Sequence, residues 1–245
     1  MFKPVAATIL AVLFAGSTHA ADQEHDSHPA PEKLGSVSFA TSCAPSVQAG
    51  FERGLALLHS FAYSVSEQAF RDVAARDRDC AIAYWGMAMT HYHQLWETPS
   101  GDELREGAEQ IRKAVDARSG SKRERGFIEA LATYYRDPEQ ATPAVRAERY
   151  ANAMAGFARD NAGDMEAQIF YALALIATAP PADKTHARQK QAAAILEPLY
   201  RLHPQHPGLA HYLIHASDSA ELAPQGLAAA RAYSQIVCEI GRAHV

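Results

Sequence analysis

The spacing of apolar residues between positions 44 and 238 follows the period of an α-helix. Apolar side chains recur every three or four residues, and short clusters of Pro, Gly, Asp and Ser interrupt them. Such spacing places apolar side chains on one face of a helix, whereas a half-buried strand would alternate apolar and polar residues. No convincing alternating run occurs in this part of the sequence. The pattern therefore predicts an all-α fold.

The turn signals divide this region into helices that follow one another closely. The predicted ranges are 46–61, 66–75, 80–95, 103–117, 122–135, 144–159, 165–178, 183–202, 207–216 and 222–237. Taken in pairs, these helices repeat about every 35 to 45 residues, the spacing of stacked helical repeats. We predict a right-handed superhelical stack of antiparallel helix pairs, an α-solenoid, over residues 44–238.

The first 43 residues have a different composition. Residues 1–20 resemble a secretory signal peptide, with Lys3 before a short apolar run over residues 5–14 and a small residue, Ala20, at the cleavage position. The apolar run is too short to span a membrane. Residues 21–43 are mostly polar, and we expect them to be disordered. The mature protein is therefore predicted to be periplasmic or secreted, without membrane insertion.

The last seven residues, 239–245, fit neither a capping pattern nor a strand pattern. The codons GAG ATC GGA AGA GCA CAC GTC encode this heptapeptide and match a widely used short-read sequencing adapter. We therefore expect a non-native tail, with the natural gene continuing past residue 238. The underlying nucleotide sequence tests this hypothesis.

Composition narrows the class of protein. The net charge of -5 and the lack of a basic patch argue against a nucleic-acid partner. The sequence contains no G-x-S-x-G motif, no glycine-rich phosphate loop and no C-x-x-C motif. No catalytic residues are predicted, and the sequence leans away from an enzyme.

Three cysteines occur, and two of them fit a disulfide. Cys43 and Cys80 each lie at a predicted helix start, one helical hairpin apart. An oxidising compartment favours a bond between them. Two buried thiols are the alternative, because the sequence does not give the Cα separation on which a disulfide depends.

The segment from Asp79 to Ala88 matches the start of a tetratricopeptide repeat. Tyr84 occupies its aromatic position, Met87 its leucine position and Ala88 its small position. Four further phrases strengthen the match: Gly54-Leu-Ala-Leu-Leu-His-Ser-Phe61, Ala83-Tyr-Trp-Gly-Met-Ala-Met89, Thr178-Ala-Pro-Pro181 and His206-Pro-Gly-Leu-Ala-His-Tyr-Leu-Ile-His215.

Over residues 36–236 the chain resembles a family of exported bacterial tetratricopeptide-repeat proteins, whose members usually continue past residue 238. The resemblance implies a fold and a compartment but no reaction. It also implies that the first helix of each pair lines a concave groove. The candidate groove residues are His59, His91, His93, Trp96, His211, Tyr212 and His215.

His211 and His215 are one helical turn apart, so both imidazoles can reach one metal ion. Asp218 is the candidate third ligand or orienting carboxylate, although a helix cap is its alternative role. We expect these two histidines to lie together, with His59 and His91 in a separate neighbourhood. The alternative for every histidine is a hydrogen-bonded place in the core or in a polar groove. Glu166 is interpreted as a surface residue.

These features lead to two functional hypotheses. The first is an exported repeat scaffold, without a cofactor, that binds a peptide or protein partner in its concave groove. The second is a metal-binding or metal-dependent protein that uses histidines of the inner helices, with zinc as the example ion.

Overall fold

The computed structural model describes residues 33–95, 97–117 and 119–237. Within these residues it contains ten α-helices and no named strand. The helices are α1 Gln48–His59, α2 Tyr63–Arg76, α3 Ala81–Thr90, α4 Gly101–Asp116, α5 Lys122–Tyr134, α6 Pro143–Asp160, α7 Met165–Ala177, α8 Ala187–Leu202, α9 Pro207–Ala216 and α10 Ala223–Ile236. The all-α prediction is confirmed. The predicted signal peptide, residues 21–32, Trp96 and the 239–245 tail lie outside the described residues.

Several helices begin where side chains replace missing backbone hydrogen bonds. Ser100 and Ser121 each form a capping box with the glutamate three residues later. Asp164 accepts a hydrogen bond from the Ala167 N–H and starts α7. Such caps satisfy the unpaired N–H groups of the first helical turn. They explain why α4, α5 and α7 start within a few residues of the predicted positions.

Consecutive helices pack against each other along the chain, as expected for helix pairs joined by short connections. Contacts also join α1 to α3, α3 to α5 and α7 to α9, the first helices of successive pairs. In addition, α1 contacts α9, so the first and last described pairs meet. The right-handed superhelix remains a prediction. No helix among the described residues is long and apolar enough to cross a membrane.

An aromatic cluster fills the space between the inner helices. Trp85 of α3 is fully buried, and its ring centroid lies 5.6 Å from that of Phe127 in α5 and 5.4 Å from that of Phe170 in α7. Phe70 of α2 fits against two glycines, since a Cβ on Gly54 or Gly86 would lie 2.8 or 2.6 Å from its ring. Close approach of α1, α2 and α3 therefore depends on glycine at these positions.

Residues 34–44, here called the strap, are ordered rather than disordered, which corrects the prediction for residues 33–43. Leu34 forms an isolated antiparallel bridge with Val237, and the Ser36 N–H donates to the Gln205 carbonyl at 2.8 Å. Phe39 is fully buried. Composition alone missed this order because one buried ring and partners elsewhere in the chain hold the segment in place.

The strap is fixed at its C-terminal end by a disulfide. Cys43 and Cys80 are bonded, with a Cα–Cα distance of 4.9 Å. The adjacent Ala44 N–H donates to Asp77 Oδ2 at 2.7 Å. The predicted pairing is therefore confirmed, and the alternative of two buried thiols is not what the structure contains.

The contact between inner helices gives a test of the packing. Ala88 is fully buried in α3, whereas Ala194 of α8 is exposed. Ala88→Glu forces a charged side chain between packed helices, so we expect it to cost several kcal/mol or to prevent folding. Ala194→Glu is the matched control, and we expect its effect to stay within about 0.5 kcal/mol. Chemical unfolding followed by circular dichroism measures both, and equal stabilities would contradict the packing.

Candidate functional site

A buried hydrogen-bonded network joins the three helices α1, α7 and α9. Its central residue is Glu166, in the first turn of α7, where a carboxylate interacts favourably with the helix dipole. His59 is the last residue of α1, and His206 is the N-cap of α9. Tyr212 lies on the next turns of α9. The positions of these side chains follow from where the helices begin and end.

Glu166 bridges the two imidazoles with its two oxygens. His59 Nε2 lies 3.0 Å from Glu166 Oε2, and His206 Nε2 lies 2.9 Å from Glu166 Oε1. The Tyr212 hydroxyl lies 3.0 Å from His59 Nδ1. All four residues are 2% exposed or less. The hydrogen bonds therefore connect Tyr212 to His59, His59 to Glu166 and Glu166 to His206. Most atoms of these four side chains have no contact with bulk water.

The protonation states follow from burial and from these contacts. Burial acts to raise the pKa of Glu166, but His59 and His206 outweigh it and hold that pKa well below its ordinary value. Burial also lowers the pKa of His59, against the opposing effect of Glu166. We assign an ionised carboxylate that accepts the Nε2–H of neutral His59. Burial raises the pKa of Tyr212, so its hydroxyl keeps its proton and donates to His59 Nδ1.

The surroundings fix the His59 ring. Phe170 stacks on it at a centroid distance of 5.0 Å. On the other side, a Cβ on Gly208 would lie 2.6 Å from His59 Nδ1, so only glycine leaves room for the ring beside α9. His206 is less well satisfied, because its Nδ1 is buried and has no hydrogen-bond partner among the described residues.

Two groups of three side chains among the described residues bring metal-ligating atoms within 4.8 Å of one another. One is Cys43, Asp77 and Cys80, but its sulfurs are committed to the disulfide. The other is His59, Glu166 and His206. The predicted trio of His211, His215 and Asp218 is not among these groups, which corrects the assignment of Asp218 as the third ligand.

His211 and His215 lie together, as their spacing predicted. Their Nε2 atoms are 3.1 Å apart, and His211 Nδ1 lies 2.7 Å from the His59 carbonyl oxygen. Because a carbonyl only accepts, His211 carries its proton on Nδ1. Asp218 is exposed, and its backbone N–H contacts the His215 carbonyl at 3.4 Å.

The expected separation of His59 from this pair is wrong. His59 contacts His211 and Tyr212 directly, because α9 packs on α1. His91 lies elsewhere, with its Nε2 3.4 Å from Glu67 Oε1. His93 stacks on Tyr63 with ring centroids 4.7 Å apart.

Burial also corrects the list of groove residues. His59 and Tyr212 are completely buried, and His211 is 5% exposed, so these side chains do not line a surface that a protein partner can reach. The interpretation of Glu166 as a surface residue is likewise wrong, since it is 1% exposed. His93 and His215 remain partly exposed. Trp96 is not described.

The open space near this site is a polar cleft of about 570 Å³. It is lined by Ser38 and Ala40 of the strap, by Arg123 and by the turn between α6 and α7. Within this lining, Arg123 Nη2 donates a hydrogen bond to Asp164 Oδ1 at 3.0 Å. Glu166 is also one of the lining residues, so the cleft ends at the buried hydrogen-bonded network.

Sequence reasoning missed Glu166, His206 and Gly208. A weak signal for Glu166 was its place in the first turn after the capping residue Asp164. For His206 and Gly208 the weak signal was the Pro-Gly start of α9.

Comparison of the chain with models of known protein families, with curated proteins and with solved structures finds no match. The tetratricopeptide-family resemblance therefore stays a prediction.

The buried carboxylate should be essential for stability. Glu166→Ala leaves two buried imidazole N–H groups without an acceptor, so we expect a loss of about 3–5 kcal/mol. Glu67 is the matched control, since it also contacts a histidine but its side chain is 20% exposed. We expect Glu67→Ala to cost about 1 kcal/mol or less. Urea unfolding measures both, and similar losses would show that Glu166 is not the central residue.

The lowered pKa of His59 predicts a pH dependence in chelator-treated protein. Between about pH 6.5 and the lower folded pKa, the unfolded state binds a proton that the folded state does not. This contribution to stability is therefore complete above about pH 6.5 and is lost on acidification, with a limit of about 1.4 kcal/mol per pH unit. We expect His59→Gln to flatten the stability profile of the protein below pH 6.5 relative to wild type. Identical slopes for wild type and His59→Gln would contradict the assignment.

Proposed function

We propose that this protein is an exported helical-repeat scaffold that binds an extended peptide segment of a partner protein in the cleft beside the strap. The observation that carries the proposal is the way in which the helices bind the strap itself. The disulfide supports an oxidising compartment such as the periplasm, because such bonds persist there.

The helices recognise the strap mainly through its backbone. Glu52 Oε1 accepts the Phe39 N–H at 3.1 Å, and Gln48 Nε2 donates to the Phe39 carbonyl at 2.7 Å. Glu124 Oε1 accepts the Ser42 N–H at 3.0 Å. Side chains of α1 and α5 thus satisfy an extended chain that forms no sheet along its length. This is the chemistry that a groove needs for binding a peptide with few sequence requirements.

One aromatic anchor adds apolar binding energy. The Phe39 ring lies 5.1 Å from the Phe51 ring and 5.4 Å from the Phe127 ring. The Arg123 guanidinium lies 3.8 Å above it. A buried aromatic residue surrounded by polar backbone contacts is the arrangement found at the centre of many protein interfaces.

The cleft continues this recognition surface on the open side of the strap. Ser38 and Ala40 are exposed there, whereas Phe39 between them is buried, as alternation along an extended segment requires. Arg123 and Asp164 line the same cleft. A second extended chain lying beside the strap can therefore contact both backbone and charged side chains.

Gly163 offers a direct test of this surface. It lines the cleft, and a Cβ at this position meets nothing within 4 Å, so Gly163→Arg fills open space without a clash. Gly156→Arg in α6 is the control, because its Cβ makes only one ordinary contact, 3.9 Å from Arg159. Peptides are selected on the wild-type protein from a phage-displayed library of random peptides of the strap's length. Their binding to each arginine variant is then measured. We expect peptides selected on wild type to bind Gly156→Arg equally and Gly163→Arg at least about tenfold more weakly, equivalent to about 1.4 kcal/mol.

Equal peptide binding by both arginine variants would contradict the proposal, as would a wild-type protein that selects no peptide. Circular dichroism of the variants verifies that a difference reflects the cleft rather than the fold.

A further inference from the structure

The least explained feature of the core is a carboxylate shared by two histidines. Replacing such a polar cluster with apolar residues of similar volume is often neutral or stabilising, so packing alone does not require it. The network also leaves His206 Nδ1 buried and without a hydrogen-bond partner among the described residues. A polar cluster built only to lock helices together gains most when every member is satisfied.

We propose that His59, Glu166 and His206 form a buried binding site for one divalent transition-metal ion, with zinc as the ion that the donor set fits best. Two imidazoles and one carboxylate are a common zinc-binding set, in which a water molecule or other small ligand takes the fourth position. The three residues come from α1, α7 and the N-cap of α9, so one ion would join three inner helices.

The distances require little rearrangement. Ligands at about 2.0–2.1 Å from a tetrahedral zinc ion are separated from each other by about 3.4 Å. The two nitrogen–oxygen contacts at Glu166 are 3.0 and 2.9 Å, and all three ligand atoms lie within 4.8 Å of one another. Small rotations of side chains would open the cluster around an ion. The proton on each coordinating nitrogen would move to the other ring nitrogen, so that each imidazole stays neutral with one N–H.

Charge also favours a cation here. A carboxylate that is 1% exposed loses its hydration, and hydrogen bonds from two imidazole N–H groups compensate for this only in part. A divalent cation would replace two hydrogen bonds with direct coordination of the same groups.

The surrounding residues position the ligands. The Tyr212 hydroxyl contacts His59 Nδ1, and with an ion on Nε2 its oxygen would accept the N–H then carried by Nδ1, as outer partners do at metal sites. Gly208 leaves room for the ring, and Phe170 stacks on its face. Glu166 lines the polar cleft, which gives an ion and a fourth ligand a route to the site.

The test uses the exported full chain without an affinity tag, treated with a chelator and titrated with Zn²⁺ in competition with a chromophoric chelator. We expect one tightly bound zinc ion per chain. Glu166→Gln and His206→Gln each remove a ligand while keeping side-chain size, and we expect at least about 100-fold weaker binding. His203→Gln, at an exposed histidine three residues before His206, should bind as wild type does.

A positioning variant keeps the test decisive if the ligand variants do not fold. Tyr212→Phe keeps the buried ring and removes only the hydroxyl beside His59, and we expect about 10- to 100-fold weaker zinc binding. X-ray absorption of the zinc-loaded wild type should show two imidazole ligands together with oxygen ligands.

Three results would overturn the site: a wild type that binds no zinc, unchanged affinity in both Glu166→Gln and Tyr212→Phe, or loss of binding in His215→Gln with a spectrum lacking a carboxylate. None of these results affects peptide binding at Gly163, so the failure of one proposal is distinguishable from the failure of the other.

Discussion

The ionised carboxylate of Glu166, placed where water scarcely reaches it, is the constraint on which the inner layer depends. A buried carboxylate needs donors on both oxygens, and here the donors come from the end of α1 and the start of α9. These two helices are far apart in sequence, so the shared carboxylate specifies which helices meet as well as satisfying its own charge. The same contacts bring α9 against α1 and bury Tyr212 between them.

The strap, which lines the same cleft as Glu166, imposes a second constraint. It is extended, and helix side chains rather than a neighbouring strand satisfy its backbone groups. Its disulfide to Cys80 restricts the unfolded chain, and its buried Phe39 adds apolar contact in the folded one. A segment of low hydrophobicity is thereby ordered through one ring, one covalent bond and a few directed hydrogen bonds.

The cleft and the buried cluster share Glu166, which places the two proposed binding activities next to each other. The strap and Arg123 present groups suited to an extended chain, while Glu166 belongs to a buried set of nitrogen and oxygen ligands suited to an ion. A metal bound by this set would hold α1, α7 and α9 in fixed relative positions. The helices that support the cleft would then be rigid before a partner arrives, which lowers the entropic cost of binding.

The sequence by itself determined the helices and much of their capping, because periodicity and caps such as Ser121 with Glu124 act over a few residues. It also favoured the Cys43–Cys80 bond and the closeness of His211 and His215. Only the tertiary structure decided that Glu166 is buried, that His206 joins it and that the strap is ordered. Periodicity shows which face of a helix is apolar but not which helices meet, and these features depend on the meeting of α1, α7 and α9 across more than a hundred residues of chain.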